Sequence, residues 1–423
     1  MSVKYFKFVC VSDLPGVAAD PDNHHIFSSD KTQEIGGHVS GLGDLRPHGP
    51  IMLAWMLGQF MARGQAGLQT YQRLGEVAMG NNVLQVLQDT LQGDFTAHSL
   101  VSDILHSLVY GVMSALIQAF DPSSMGLGLD THKIVVKLLS HHLIAGHFWK
   151  NPLGLSVYFD ELKSQYPLEQ SSFMEVCVSL ASASPSSCSR LISTLSSLSS
   201  LTDKLDNVPQ SSLRPVSGAS YQLSRQHFPY PGTQTVCVPS GTMGELLSSG
   251  MAVRFAGNYN GWQIMLAEIG HLASQLESGA GYVSPDCLKK VTSIGKLVAS
   301  VTRSDPSLWP QLGQILASLM GVADRYCHTP SPPLHLVASV LDTLANVASV
   351  APTEAVSRLE RTSLLPRLAS DGVLYPGVVG QLLAGQETVA GDFPSLLAFL
   401  RLVTLIANQV RYYFIIMVYK REL

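Results

Sequence analysis

Apolar residues recur every three or four positions along most of the chain from Pro50 onward, a pattern that predicts a mainly α-helical protein. In residues 100–120 the apolar positions form a wide stripe: Leu100, Val101, Ile104, Leu105, Leu108, Val109, Val112, Met113, Leu116, Ile117 and Phe120. A helix with so broad an apolar surface has to pack against more than one neighbour. We therefore expect this helix to lie inside a larger helical assembly.

The same spacing predicts a helix between Pro333 and Pro352, because proline suits the first turn of a helix and blocks its continuation. Similar periods predict further helices at residues 265–276, 286–301, 308–326, 355–368 and 394–412. Consecutive helices with short connections are typical of stacked helical pairs, so we expect an irregular α-solenoid. No strict repeat motif occurs, and a large irregular helical bundle is the alternative.

The segment around residues 233–262 departs from the helical pattern. Met251, Val253 and Phe255 alternate with other residues, which predicts a strand, and the glycine-rich sequences on both sides predict turns. Three or four short strands here would form a small, strongly bent barrel inserted between helices. The alternative is a glycine-rich loop with one hairpin. Val253 and Phe255 are expected to point inward and Arg254 toward water.

These patterns divide the chain into five predicted parts: an irregular N-terminal segment (1–49), the first part of the solenoid (50–206), a linker (207–220), the β insertion (221–262) and the second part of the solenoid (263–423). The leucines at 191, 195, 198 and 201 keep helical spacing within a serine-rich stretch, so we expect a helix there. The proline- and serine-rich composition of residues 207–220 indicates a linker. We expect the only sheet of the protein between Tyr221 and Trp262.

The composition is apolar, with 46% hydrophobic and 14% charged residues and a mean hydropathy of +0.20. Such a chain hides most of its side chains or has partners that cover them. The net charge is -4, and the few basic residues are scattered along the chain. Because binding to phosphates needs clustered Lys and Arg, we predict no direct contact with nucleic acid.

Two stretches, residues 100–120 and 393–419, are long enough to be tested as membrane spans. Polar residues interrupt both of them: Asp103, His106 and Gln118 in the first, and Arg401, Asn408 and Arg411 in the second. A spanning helix needs about 20 predominantly apolar residues with few or no charges, so we predict no membrane span. The N-terminal sequence also lacks the features of a secretory signal.

The six cysteines lie far apart and include no CxxC pair. In a chain of this length they are expected to be reduced, buried thiols rather than disulfides, which indicates the cytosol or the nucleus.

Each candidate catalytic or cofactor motif lacks a required residue. Arg46 stands where a dinucleotide fingerprint that begins at Gly41 needs glycine, and Leu297 stands where a P-loop needs Ser or Thr. Ser40 and Ser217 lack the upstream glycine of a nucleophile elbow. We therefore predict no catalytic residues, no cofactor and no enzymatic activity. An enzyme with an unrecognised site is the alternative.

Four histidines lie close together in the sequence: His132, His141, His142 and His147. A zinc site on a helix needs two imidazoles on one face with carboxylate or thiolate partners. His142 and His147 are separated by about 140° around a helix, and no acidic residue lies between them. We therefore predict ordinary core or surface histidines and no metal site.

Three stretches resemble one known family: Arg46–Phe60 (RPHGPIMLAWMLGQF), residues 228–269 (FPYPGTQTVCVPSGTMGELLSSGMAVRFAGNYNGWQIMLAEI) and residues 351–368 (APTEAVSRLERTSLLPRL). They are similar to the nucleoporin 188 family, the large scaffold proteins of the nuclear pore inner ring. The resemblance covers residues 36–408 and is most specific at the Gly-Pro-x-x-Leu-Ala-Trp motif and at residues 228–269. It implies an N-terminal α-solenoid with an inserted SH3-like barrel. It also implies a structural role in the nuclear pore complex of the nuclear envelope, in support of nucleocytoplasmic transport of protein and mRNA.

The resemblance also implies other scaffold and linker nucleoporins as partners, with transport receptors as further candidates. Family members are several times longer than this chain. We therefore expect a truncated solenoid without the C-terminal site for a linker of the nucleoporin ninety-three type. The sequence has no Phe-Gly dipeptide, which fits a scaffold component rather than a repeat-bearing nucleoporin. A soluble HEAT-type transport receptor or another helical-repeat adaptor is the alternative. Such a receptor would be expected to carry acidic runs for basic cargo signals, and acidic residues are sparse here.

Overall fold

The computed structural model describes residues 29–42, 48–93, 99–120, 129–230, 233–247, 250–277, 283–326, 329, 331–368 and 374–421. Of these residues 71% are helical, which confirms the prediction of a mainly α protein. Much of the predicted segment 1–49, including Arg46, lies outside the described residues. The chain forms two compact units, unit 1 (Met1–Glu161) and unit 2 (Leu162–Leu423).

Unit 1 is helical throughout its described residues. Its helices are α1 (Ser29–Ser40), α2 (Gly49–Arg63), α3 (Gln65–Gly80), α4 (Val83–Gln92), α5 (Ser99–Ala119), α6 (Leu129–Leu139), α7 (His142–Phe148) and α8 (Leu155–Ser164), within which the unit ends. Helix α5 contacts α2, α4, α6 and α7. Its second half is buried on nearly every side, with Val112 and Met113 fully inaccessible to solvent. The second half of the wide apolar stripe therefore packs against several neighbours, as predicted, whereas Leu100, Val101 and Ile104 at the start of the helix are exposed.

Helix α5 is also the one helix among the described residues that is long and apolar enough to cross a membrane. Within its most apolar 18-residue window, 56% of the residues are buried inside the protein. A core helix of a folded domain has this same combination of length and composition, so these two properties alone do not make α5 a membrane span.

Unit 2 combines helices with a small sheet. Its helices are α9 (Gln170–Ala183), α10 (Pro185–Leu195), α11 (Gly261–Glu277), α12 (Pro285–Ser304), α13 (Trp309–Arg325), α14 (Leu334–Ala348), α15 (Pro352–Leu359), α16 (Gly377–Leu382), α17 (Thr388–Ala390) and α18 (Pro394–Arg421). Helix α12 contacts both α9 and α14, and α14 in turn contacts α18. The helix predicted at residues 355–368 is shorter than expected: α15 ends at Leu359.

The sheet of unit 2 is antiparallel and has five strands, β1 (Leu198–Lys204), β2 (Leu213–Ser217), β3 (Ser220–Leu223), β4 (Met243–Leu246) and β5 (Ala252–Tyr259). Its strand order is β1-β5-β4-β3-β2, so β1 and β2 form the two edges and the sheet is not closed. On β5, Val253 and Phe255 are fully buried. Arg254 lies on the opposite face and forms an ion pair of 2.6 Å with Glu245 of β4. The predicted orientation of these three side chains is confirmed.

The predicted location of the sheet is wrong in two respects. Strands β1 and β2 precede Tyr221, and the stretch predicted to be a linker, residues 207–220, contains β2 between short 3-10 turns and the start of β3. A second, two-stranded sheet pairs β6 (Arg367–Leu368) with β7 (Leu374–Tyr375). The division of the chain into five parts otherwise stays a prediction.

Strand β1 shows why the sequence pattern was misleading there. Helix α10 ends at Leu195, so the helix expected through residue 201 stops early. Leu198 and Leu201 are both buried although they are three residues apart, and the pairing of β1 with β5 shifts register between Leu198 and Ser200. The extra residue of this irregularity lies on β5, because two steps on β1 match three steps on β5. Leu201 and Thr202 are adjacent and both buried, so β1 is covered on both faces and its leucines are buried without the alternating spacing of a half-exposed strand.

Candidate functional site

Unit 2 contains a polar cavity of about 290 Å³ where β1 meets α11 and α12. Its lining includes Asp203 from β1, Glu268 and His271 from α11, and Cys287 and Lys290 from α12. Glu268 and His271 lie three residues apart, so they occupy the same face of α11. The cavity therefore collects ionisable groups from three secondary-structure elements.

Glu268 is the most deeply buried acid in this group, with 3% of its surface exposed. Its Oε1 accepts a hydrogen bond of 3.1 Å from the Tyr230 hydroxyl. Its Oε2 is buried without a hydrogen-bond partner among the described residues, as is Oε1 of Gln170. Buried polar atoms normally have partners, so Glu268 and Gln170 each have an acceptor that is free for a further donor.

Burial raises the pKa of Glu268 to about 7, because desolvation disfavours the carboxylate. The positive charge of Lys290 and hydrogen bonds from Tyr230 and Gln170 oppose this effect only in part. The group therefore exchanges a proton near neutral pH. Such a carboxyl can accept a hydrogen bond from a donor that reaches the cavity, or it can bind a cation there.

Three further interactions fix the walls of the cavity. His227 Nε2 lies 2.8 Å from Asp203 Oδ2, and Asn207 donates a hydrogen bond of 2.7 Å to the other oxygen of the same carboxylate. Lys290 donates a hydrogen bond to the Pro167 carbonyl at 3.3 Å. Polar contacts therefore join β1 to loops between the other strands of the sheet, and join α12 to the segment that precedes the sheet.

Thiol chemistry is disfavoured at the cavity of unit 2. The four described cysteines, Cys177, Cys188, Cys237 and Cys287, are free thiols, while Cys10 and Cys327 lie outside the described residues. Burial raises the pKa of Cys287, which lines the cavity, to about 11. A nucleophilic cysteine needs a lowered pKa, so Cys287 remains a protonated thiol near neutral pH.

Unit 1 brings together residues that the sequence analysis treated separately. Asp103 of α5 lies beside His141 and His142, and the nearest ligand atoms of all three residues lie within 4.8 Å of one another. His132, in contrast, is buried, and its Nδ1 lies 2.9 Å from the Tyr158 hydroxyl. The ring of His147 lies beside the ring of Tyr110. The sequence analysis missed the group because its carboxylate comes from another helix. The prediction of no metal site therefore stays a prediction.

Two exposed apolar patches stand out on the described surface. Leu397, Leu400 and Val403 lie at three-residue intervals on α18 and are 64%, 50% and 41% exposed. Leu100 and Ile104 of α5 are 69% and 50% exposed. Exposed apolar patches mark surfaces that partners or further parts of a protein cover. The fold, the polar cavity and these patches together define a mainly α protein with an open antiparallel sheet set among its helices.

Comparison with known proteins shows which members of this class the chain resembles. Residues 252–421, from β5 to the end of α18, match the family model described as nucleoporin Nup188, N-terminal subdomain III. Three curated relatives are nucleoporin NUP188 from Mus musculus, from Homo sapiens and from Xenopus tropicalis. The mouse and human proteins are 24% identical over 399 residues, which is 90% of this chain and 22% and 23% of the relatives. The frog protein is 24% identical over 404 residues, 91% of this chain and 23% of the relative.

The chain is therefore similar to nucleoporin Nup188 over most of its length, and residues 252–421 match the model of the N-terminal subdomain III of that nucleoporin. It spans less than a quarter of the length of the curated relatives that it matches.

Proposed function

We propose that this chain is part of a structural scaffold nucleoporin of the nuclear pore complex, located at the nuclear envelope, where it supports nucleocytoplasmic transport. The observation that carries the proposal is the similarity to NUP188 from three vertebrates over at least 90% of the chain. The family model matched by residues 252–421 names the same nucleoporin independently. A structural role rather than catalysis is what this family relation favours.

The architecture supports the proposal. We infer that the succession of α9, α12, α14 and α18, each in contact with the next, is one stretch of an irregular α-solenoid that continues in the longer relatives. The five-stranded sheet is then the counterpart of a small SH3-like insertion, although its edge strands β1 and β2 do not pair with each other to close a barrel. Stacked helices with a short inserted module give extended surfaces, which is what a scaffold needs.

The partners proposed for this scaffold are other scaffold and linker nucleoporins, with transport receptors as further candidates. The apolar patch of Leu397, Leu400 and Val403 on α18 is one surface that such contacts would cover. The proposal includes no direct contact with nucleic acid and no membrane span, since the charge is slightly negative and α5 is largely buried.

Affinity purification tests the proposal. The endogenous protein that contains this chain is tagged, purified from nuclear-envelope extract, and its co-purifying proteins are identified by mass spectrometry. A scaffold nucleoporin should bring down other nuclear pore components in near-stoichiometric amounts that resist moderate salt. Recovery of soluble cargo proteins instead, in amounts that fall when the GTP-bound form of a small GTPase is added, would favour the transport-receptor alternative and contradict the proposal.

A further inference from the structure

The group formed by Asp103, His141 and His142 in unit 1 has the composition of a metal site. Asp103 lies in the first turns of α5, His141 has an extended backbone directly before α7, and His142 is the first residue of that helix. Imidazole and carboxylate are ligands that zinc and neighbouring divalent metals accept. We propose that these three side chains bind a divalent transition-metal ion, Zn²⁺ in the first place, with water in the fourth position.

The distances between the ligand atoms fit this proposal. Two ligands of a tetrahedral zinc ion, each bound at about 2.0–2.2 Å, lie about 3.3 Å apart. His141 Nε2 and Asp103 Oδ1 are separated by 3.2 Å. The widest separation in the group is within 4.8 Å, and His142 is exposed, so rotation of its side chain can shorten that distance. Two of the three ligands are therefore already at the required spacing.

A neighbouring histidine holds the central ligand in place. The ring of His106 stacks on the ring of His141 with centroids 4.2 Å apart and an angle of 21° between the ring planes. His106 Nδ1 donates a hydrogen bond of 2.8 Å to the carbonyl oxygen of Ser102, one turn earlier in α5. His106 is therefore a positioning residue, which fixes the plane of the His141 ring without binding the ion.

The electrostatics allow a cation at this position. His141 is 13% exposed in its side chain, and Asp103 supplies a negative charge next to it. Lys137 supplies an opposing positive charge.

Isothermal titration of the untagged full chain, stripped with a chelator and dialysed, tests the site with Zn²⁺ alone. We expect one bound ion per chain, and a loss of affinity of at least about tenfold in Asp103→Asn and in His142→Ala. His142 is exposed, so its replacement should leave the fold intact, as circular dichroism checks. His147→Ala is the matched control from the same helix, and it should bind zinc like the unchanged protein.

Cobalt gives an independent readout. Co²⁺ bound by two imidazoles, a carboxylate and water should show the intense visible absorption of tetrahedral cobalt, which His142→Ala should weaken and His147→Ala should leave unchanged. No zinc binding, or zinc binding of the same strength in Asp103→Asn and His142→Ala, would overturn the proposal. The 3.2 Å contact would then be an ordinary hydrogen bond from His141 to Asp103.

Discussion

Unit 1 and unit 2 are stabilised in different ways. In unit 1 helices pack directly on helices, and Gly154 shows how closely. Its φ is +65°, and a Cβ atom at this position would lie 2.7 Å from the Cβ of Ser114 in α5. In unit 2 a sheet meets the helices around the polar cavity, where Glu268 and the Asp203–His227 pair are buried. Shape complementarity dominates the first unit, whereas the second also depends on buried polar contacts and on their protonation.

The two units should therefore lose stability separately and for different reasons. A change of shape should damage unit 1 at any pH, whereas the stability of unit 2 should depend on pH through Glu268.

Replacing Phe255 by Ala should have the largest effect, because this side chain is fully buried in the sheet of unit 2. Emptying a buried aromatic site costs about 3–5 kcal/mol. Hydrogen exchange should show lost protection in residues 235–261, with α5 of unit 1 and α13 of unit 2 unchanged.

Arg254→Ala is the matched control for Phe255→Ala. Its side chain is 32% exposed and paired with the more exposed Glu245, and such pairs contribute about 0–1 kcal/mol. Loss of protection in α13 as well would show that sheet and helices form one cooperative core, so the sheet would not be a separate insertion.

Gly154→Ala should destabilise unit 1 by about 2–4 kcal/mol. Alanine disfavours the positive φ of this position, and its methyl group would overlap with Ser114. Gly146→Ala in α7 is the control, since a Cβ there meets no atom within 4 Å. It should be neutral or slightly stabilising. Equal effects of the two changes in thermal unfolding would contradict the close packing described for α5.

Glu268→Gln should remove a pH dependence from unit 2. The carboxyl has a pKa of about 7 in the folded protein, against an ordinary value of 4.5 for a glutamate side chain. Between these values the folded state binds the proton more tightly, so stability falls as the pH rises from 4.5 through 7. The total change is at most about 3 kcal/mol. Below pH 4.5 both states are protonated and this contribution is constant.

Thermal unfolding at pH 5.5 and pH 8 measures this effect. The unchanged protein should lose stability between the two values, and Glu268→Gln should lose clearly less and be the more stable of the two at pH 8. Glu245→Gln, which alters a carboxylate that is 55% exposed, should keep the pH dependence of the unchanged protein. A pH dependence that persists in Glu268→Gln would show that the buried carboxyl is not its source.

Asn346→Ala should cost about 1–3 kcal/mol, because this buried amide joins three helices of unit 2. Its Nδ2 donates to the Ala299 carbonyl at 3.0 Å and to Thr302 Oγ1 at 3.1 Å. Its Oδ1 accepts from Arg401 at 2.6 Å. Arg401→Ala removes only the partly exposed partner and should cost less than about 1 kcal/mol in chemical denaturation. If Arg401→Ala lowered the stability more than Asn346→Ala, the arginine rather than the buried amide would provide the main contact between α14 and α18.

The sequence predicted the helices well, because helical periodicity reports directly on which side of a helix is buried. Helix α5, expected at residues 100–120, lies at Ser99–Ala119. Strand β1 was missed because both of its faces are buried, so Leu198 and Leu201 can be buried at a helix-like spacing. A local pattern cannot show that β1 is covered on both sides, since this depends on its packing within the fold and on its pairing with β5, about 50 residues later.

The candidate sites were less predictable than the fold. Glu268 lies in an apolar helix with no motif around it, and its raised pKa comes from burial under segments distant in sequence. The group of Asp103, His141 and His142 joins residues 38 positions apart. Its one signal in the sequence was the His141–His142 pair, and the carboxylate that completes the group became visible only through the packing of α5.

Fluorescence recovery after photobleaching tests the proposed scaffold role at the nuclear pore in living cells. The endogenous protein that contains this chain is labelled, and recovery is followed at the nuclear rim beside a labelled soluble transport receptor as reference. A scaffold component should be concentrated at the rim and recover far more slowly than the receptor, because it is built into the complex. Recovery as fast as that of the receptor, or no concentration at the rim, would contradict the account.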